Sequence, residues 1–184
     1  MLKVMSGKEL KKLRDKIKSA IHLFLAKDGE LLSLAGGIHE QTISHRIAVY
    51  LEPMFTDYNV DCEYNKHGDQ SKNMKTVEIA IFFRRTCRCQ SCKKWSTKNP
   101  VNNTNKNSVE IRPDIIIHKK RGNKSVGNIV AIEIKKKENC LFDQAKLKAL
   151  TSKDGDYKYK LGVFIYFSND DPKYKWFVDG LEKK

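Results

Sequence analysis

The chain has 184 residues, 40% of them apolar and 32% charged, a length that suits one domain with a true core and a composition that excludes an intrinsically disordered chain. Thirty-six Lys and Arg against twenty-two Asp and Glu leave a formal charge of +14, which suits a polyanionic partner such as nucleic acid, although many of the lysines form an ordinary solvated face. No run approaches the ~20 apolar residues of a membrane span and the N-terminus lacks a signal-peptide core, so no membrane partner and a soluble, cytoplasmic protein are expected. Five cysteines, an odd count, suit a reducing compartment better than a disulfide framework.

Ser6 stands three residues before Glu9, the spacing of a capping box, and Leu10, Leu13, Ile17, Ile21 and Phe24 recur at helical intervals. A helix basic on its outer face is expected to about Ala26, within an N-terminal helical extension over 1–35. Gly36-Gly37 breaks the chain, and Ile38, Ile43, Ile47, Tyr50, Leu51 and Met54 mark a second helix that Pro53 ends or bends. Strands are expected over Tyr58 to Tyr64 and over Thr76 to Phe83. From Arg84 to Ser108 periodicity disappears, and 84–108 reads as a basic, cysteine-containing insertion.

Order returns with Val109–His118 and Asn128–Lys135, two β-rich runs around a Gly-containing turn, expected as a hairpin. Ile115–Ile117 and Ile129–Ile132 are apolar on both faces, as in strands covered on both sides. A helix follows through Leu141, Ala145, Leu147 or Lys148, and Leu150, then a strand from Lys160 to Phe167 and a closing helix around Pro172 to Leu181. The expected class is α/β, one domain over 1–184 built on a mixed sheet flanked by helices.

Within the hairpin, Arg112-Pro113-Asp114 is expected inside the first strand, and Glu133-Ile134-Lys135 ends the second. Alternation puts Glu133 and Lys135 on one face, about 7 Å apart along the strand, and an antiparallel neighbour brings Asp114 beside them. Charged groups in an apolar strand are costly unless paired or metal-bound. Paired hard oxygens suit Mg²⁺, which takes one or two carboxylates plus waters and phosphate oxygens.

These motifs, Arg112-Pro113-Asp114 and Ile132-Glu133-Ile134-Lys135 on consecutive strands, resemble the PD-(D/E)XK nuclease superfamily, the restriction-endonuclease-like fold. The resemblance implies a core of helix, three-stranded meander, helix and strand. It implies catalysis by Asp114, Glu133 and Lys135, with Asp114 and Glu133 binding Mg²⁺ or Mn²⁺ and the lysine assisting the attacking water. Many members carry a further acid on the helix before the meander. Glu40 shares the core-facing stripe with Ile43 and Ile47 and is the candidate for that catalytic and metal-site role, against the reading of an acid favoured by the helix dipole. On the helix after the motif, Gln144 and Lys146 are candidates for reaching the site or the nucleic-acid backbone, against plain helix surface.

Cys87, Cys89 and Cys92 form a CxCxxC cluster lacking a fourth ligand nearby; Cys62, Cys140, His67 and His118 could supply one only through the fold. Structural Zn²⁺ and reduced cysteines both remain open. Arg84, Arg85, Arg88, Lys93, Lys94 and Trp95 surround the cluster, an arrangement suited to phosphates and a stacked base, and Lys136 follows the catalytic motif. His39 and His45 flank Glu40 without matching a metalloprotease motif. The leading expectation is a Mg²⁺-dependent endo- or exonuclease, acting on DNA ahead of RNA, with homodimerisation open. The alternatives are a noncatalytic nucleic-acid-binding subunit with the same fold, and a zinc-stabilised module whose acids only bridge to lysines.

Overall fold

In a computed structural model, which describes residues 5–33, 38–63, 66–67, 70–74, 89, 109–119, 127–137, 139–169 and 171–184, the first element is helix α1, Gly7–Asp28. Its start is the expected capping box: the Ser6 hydroxyl accepts from the Glu9 amide at 3.2 Å and the Glu9 carboxylate accepts from the Ser6 amide at 2.8 Å. Ile17, Ala20, Ile21 and Phe24 form its buried stripe. They belong to the same core as the sheet, so α1 is a structural layer of the domain and not an appendage.

Helix α2, Glu40–Leu51, follows with His39 at its N-cap and buries Ile43, Ile47, Ala48 and Leu51. Arg46 of α2 grips Asp28 of α1 through two hydrogen bonds of 3.0 and 3.1 Å, and the Tyr50 hydroxyl donates to the same carboxylate at 2.6 Å. A short 3-10 turn, Glu52–Met54, contains Pro53 and ends the helix as its missing N–H requires.

The strands are β1 Asn59–Cys62, β2 Lys66–His67, β3 Gln70–Ser71, β4 Asn73–Met74, β5 Val109–Glu110, β6 Ile115–His118, β7 Asn128–Lys135, β8 Leu161–Ser168, β9 Asp171–Val178 and β10 Leu181–Lys183; helix α3, Leu141–Thr151, joins β7 to β8. Six strands form one sheet in the order β1-β6-β7-β8-β9-β10. All its pairs are antiparallel except β7 with β8. The parallel pair is possible because α3 supplies the crossover that such a connection needs.

Alternation along the strands divides the interior into two cores. Ile115, Ile117, Val130, Ile132, Ile134, Val163 and Ile165 pack against α1 and α2, whereas Ile116, Ala131, Phe164 and Phe177 pack with Leu147 and Leu150 of α3. Helices on both faces explain why the isoleucine runs are continuous. Gly162 of β8 faces α3, where an added Cβ would meet Thr151 Cγ2 at 3.0 Å and Leu147 Cβ at 3.3 Å.

Two expectations are corrected. The run 109–118 is not one strand: Pro113 removes a donor and restrains Arg112, and residues 111–114 lie outside the ladder between β5 and β6. The closing helix over 172–181 is instead a β-hairpin. Val178 pairs with Leu181, leaving a two-residue Asp179-Gly180 loop with φ of 53° and 77°. That is the primed-turn signature. The strand expected over 76–83 lies outside the described residues. Among the described residues no helix is long and apolar enough to cross a membrane.

Candidate active site

β7 runs from the apolar interior to the sheet end with Glu133 and Lys135 in its last turn of pleat. Both side chains share the face of Ala131, towards α3, and both residues are buried. On the adjoining strand the ladder begins at Ile115, which pairs with Ile132. Asp114, one residue earlier, replaces the missing ladder bond with its side chain: Oδ2 accepts from the Ile134 amide at 2.6 Å. The irregular Arg112-Pro113-Asp114 segment thus frees Asp114 to turn its carboxylate onto the end of β7.

Glu40 reaches the same end from the first turn of α2. Its Oε2 accepts from Lys135 Nζ at 2.8 Å and its Oε1 from the Lys136 amide at 3.2 Å. The position also lies where the helix dipole favours an acid, so dipole and Lys135 act on one carboxylate. The structure therefore brings Asp114, Glu133, Lys135 and Glu40 into one cluster.

Helix α3 adds two residues. Lys146 Nζ lies 2.8 and 2.9 Å from the two Glu133 oxygens and 2.7 Å from Asp143 Oδ1, while Asp143 Oδ2 is 3.4 Å from Lys135 Nζ. Gln144 donates to Asn139 Oδ1 at 2.5 Å and accepts from Lys175 Nζ at 3.1 Å. Gln144 and Lys146 are 6% and 9% exposed, so neither is plain helix surface and their polar groups are turned into the protein instead of towards a backbone in solvent. Asp143 was not singled out by sequence. Its only signal was a carboxylate three residues before Lys146, which is equally ordinary on an exposed helix.

Four carboxylates, Glu40, Asp114, Glu133 and Asp143, face two ammoniums, Lys135 and Lys146, an excess of negative charge when all are ionised. Burial pushes Asp114 up to about 6 against the pull of Lys135 and Lys146. Burial likewise holds Glu133 well above the usual carboxylate range, with Asp143 and Asp114 adding to the effect. Asp143 is buried too, but Lys146 and Lys135, with hydrogen bonds from Lys146 and Cys140, bring it down to about 2. Lys146 lies against both carboxylates, and Glu133, fully buried, is a group whose ionisation is costly. The lysines keep their protons: burial weakens both, yet their acidic neighbours raise them above the ordinary range.

Among the described residues, Glu133 Oε1, 2.8 Å from the Lys146 ammonium, and Asp143 Oδ2, 3.4 Å from that of Lys135, are held by charge without hydrogen-bonding geometry. Among the described residues no three His, Cys, Asp or Glu side chains are already arranged to hold a metal ion. The ammonium of Lys146 stands between Glu133 and Asp143.

Compared with protein-family models, curated proteins and solved structures, the chain matches none. The roles of these residues rest on geometry and chemistry.

Of the remaining candidates, Lys136 is half-buried with its amide on Glu40, and His39 and His45 are exposed helix residues. Cys89 is described and buried. Cys87, Cys92, Arg84, Arg85, Arg88, Lys93 and Lys94 lie outside the described residues.

Proposed function

We propose that the protein is a divalent-metal-dependent nuclease of the PD-(D/E)XK type, hydrolysing phosphodiester bonds of nucleic acid, DNA ahead of RNA. The observation that carries this reading is the meeting of Asp114, Glu133 and Lys135 at one end of the sheet, with Glu40 holding the lysine. The order α2, antiparallel β1-β6-β7, α3 and parallel β8 supports the restriction-endonuclease-like fold that the motifs imply.

The donor set fits Mg²⁺ or Mn²⁺. Its ligands are hard oxygens and its carboxylates outnumber its ammoniums. Asp114 and Glu133 would hold the ion, which when bound supplies Lewis-acid polarisation of the phosphate and a more acidic water. Glu40, both of whose oxygens accept hydrogen bonds, positions Lys135 and Lys136. Lys135, held by Glu40, is placed to assist the attacking water or to stabilise negative charge developing on the phosphate.

One observation favours the rival, a noncatalytic nucleic-acid-binding subunit: Lys146 already occupies Glu133. Incubation with plasmid and single-stranded substrates in Mg²⁺ or Mn²⁺, then with EDTA, separates the two. Cleavage that EDTA abolishes, together with a Lys135→Ala variant that binds but does not cut, supports the nuclease. Folded protein that binds nucleic acid and cuts with neither metal leaves the rival, and equal nicking by Lys135→Ala identifies a contaminant.

A further inference from the structure

The face of the sheet that carries Glu133 and Lys135 continues past them across β8 and β9. The parallel register sets Phe164 beside Glu133 and Tyr166 beside Lys135. On β9 the partners of Phe164 and Tyr166 are Lys175 and Lys173. Because paired residues point to the same face, two rows cross it: Glu133, Phe164 and Lys175, then Lys135, Tyr166 and Lys173, with neighbouring strands ~4.8 Å apart.

The first row lies under α3, where Phe164 packs with Leu147 and Leu150. Exposure rises along the second: Lys135 is buried, Tyr166 half-buried and Lys173 exposed. The Tyr166 ring rests against Phe164, with centroids 5.7 Å apart and planes at 32°, so a buried apolar ring holds it from beneath.

The two β9 lysines flank this ring. Lys175 Nζ donates to Gln144 Oε1 at 3.1 Å, and Gln144 Nε2 donates in turn to Asn139 Oδ1 at 2.5 Å and to the Cys140 carbonyl at 3.2 Å. That chain fixes the ammonium on a neutral amide, which leaves its charge uncancelled. Lys173 meets Asp171 at 2.5 Å with both side chains about half exposed or more, and an ion pair so exposed contributes little and yields readily to a phosphate.

A partly exposed ring between lysines matches the chemistry of a single nucleic-acid strand, whose bases stack on aromatic faces while its phosphates follow the positive charge. We infer that Tyr166, Lys173 and Lys175 form a subsite for the nucleotide next to the scissile phosphate, with its unpaired base stacked on Tyr166 and its flanking phosphates held by the two lysines. The subsite's place beside the scissile phosphate rests on the nuclease reading, which puts that phosphate at Asp114, Glu133 and Lys135.

Binding is measured on the full chain in EDTA, so that no cleavage intervenes, by fluorescence anisotropy of a labelled single-stranded oligodeoxynucleotide and of the same backbone made abasic. Tyr166→Leu keeps apolar bulk on Phe164 and is expected to weaken binding of the base-bearing strand about tenfold. The abasic strand should be unaffected, and Tyr166→Phe should bind as wild type does. Lys173→Gln and Lys175→Gln should each make the slope of log K against log salt shallower by about 0.7. Lys153→Gln, exposed in the turn after α3, should leave that slope unchanged, and circular dichroism checks that each variant is folded. The proposal is overturned by wild type that binds no single strand, by Tyr166→Leu that binds as tightly as wild type or loses equal affinity for both strands, or by salt slopes that Lys173→Gln and Lys175→Gln leave unchanged. Cleavage distinguishes this from the nuclease reading: Mg²⁺-dependent cutting by a Tyr166→Leu variant of undiminished affinity removes the subsite alone. The expected binding pattern in a protein that cuts with neither Mg²⁺ nor Mn²⁺ supports the strand site and removes the nuclease.

Discussion

Replacing Lys146 by Met keeps most of the side-chain volume on α3 and removes the ammonium that touches Glu133 at 2.8 and 2.9 Å and Asp143 at 2.7 Å. Glu133 and Asp143 are 0% and 3% exposed, so water cannot replace the lost partner. Deleting one member of a buried ion network of this kind costs about 3–5 kcal/mol. The cost is set by pH. In wild type the depressed Asp143 carboxyl, at about 2, contributes stability that is present above the usual carboxylate pKa and lost as pH falls through about 2. In Lys146→Met both carboxyls should be raised, so the variant loses stability as pH rises through their elevated values. The gap between the two proteins is therefore widest near pH 8 and narrows towards pH 4. Urea unfolding, followed by the buried Trp176 and by circular dichroism, measures it. Urea is preferred to guanidinium because it adds no screening salt. If Asp114 and Glu133 bind a divalent cation, Mg²⁺ at a hundredfold above its dissociation constant restores about 2.7 kcal/mol. A loss below about 1 kcal/mol, the scale of an exposed pair, or a loss independent of pH would refute the account of a buried, charge-compensating lysine.

Three other outcomes are expected. In metal-free buffer the raised Asp114 carboxyl, at about 6, contributes stability below pH ~4 that disappears as pH rises through 6. Wild type should therefore lose stability relative to Asp114→Asn over that interval, and a constant difference in urea midpoints would contradict the shift. Gly162→Ala places a Cβ against Thr151, Phe177 and Leu147 at 3.0–3.3 Å and should cost about 1–3 kcal/mol, as overpacking does; an unchanged Tm would show that α3 is free to move away from β8. Ser6→Ala removes the capping hydroxyl of α1 and should cost about 1 kcal/mol, with no effect on nucleic-acid binding measured by fluorescence anisotropy.

The elements with strong local codes were legible in the sequence. Ser6 with Glu9 announced the start of α1, the isoleucine runs announced β6 and β7, and Pro53 marked the end of α2, because capping, alternation and a missing N–H act within a few residues. The hairpin of β9 and β10, where a closing helix is expected over 172–181, turns on Asp179-Gly180, whose two positive φ angles suit a primed turn. Glu133 and Lys135 had to share a face because strand alternation admits no other result. The position of Asp114 beside them followed from pairing, though not the break in its own strand.

Other features depend on contacts between distant parts of the chain. Glu40 and Lys135 are separated by 95 residues yet meet at 2.8 Å, and only the packing of α2 over the sheet end decides that Glu40 holds Lys135. Asp143 and Lys146 have the sequence of an exposed helical ion pair; their burial follows from how α3 crosses back to β8. Local sequence thus determined the helices, the strands and the charged motif, whose causes lie within a turn or a pleat. Tertiary structure decided which charges lose water and which partner each receives, because desolvation depends on everything packed around a side chain.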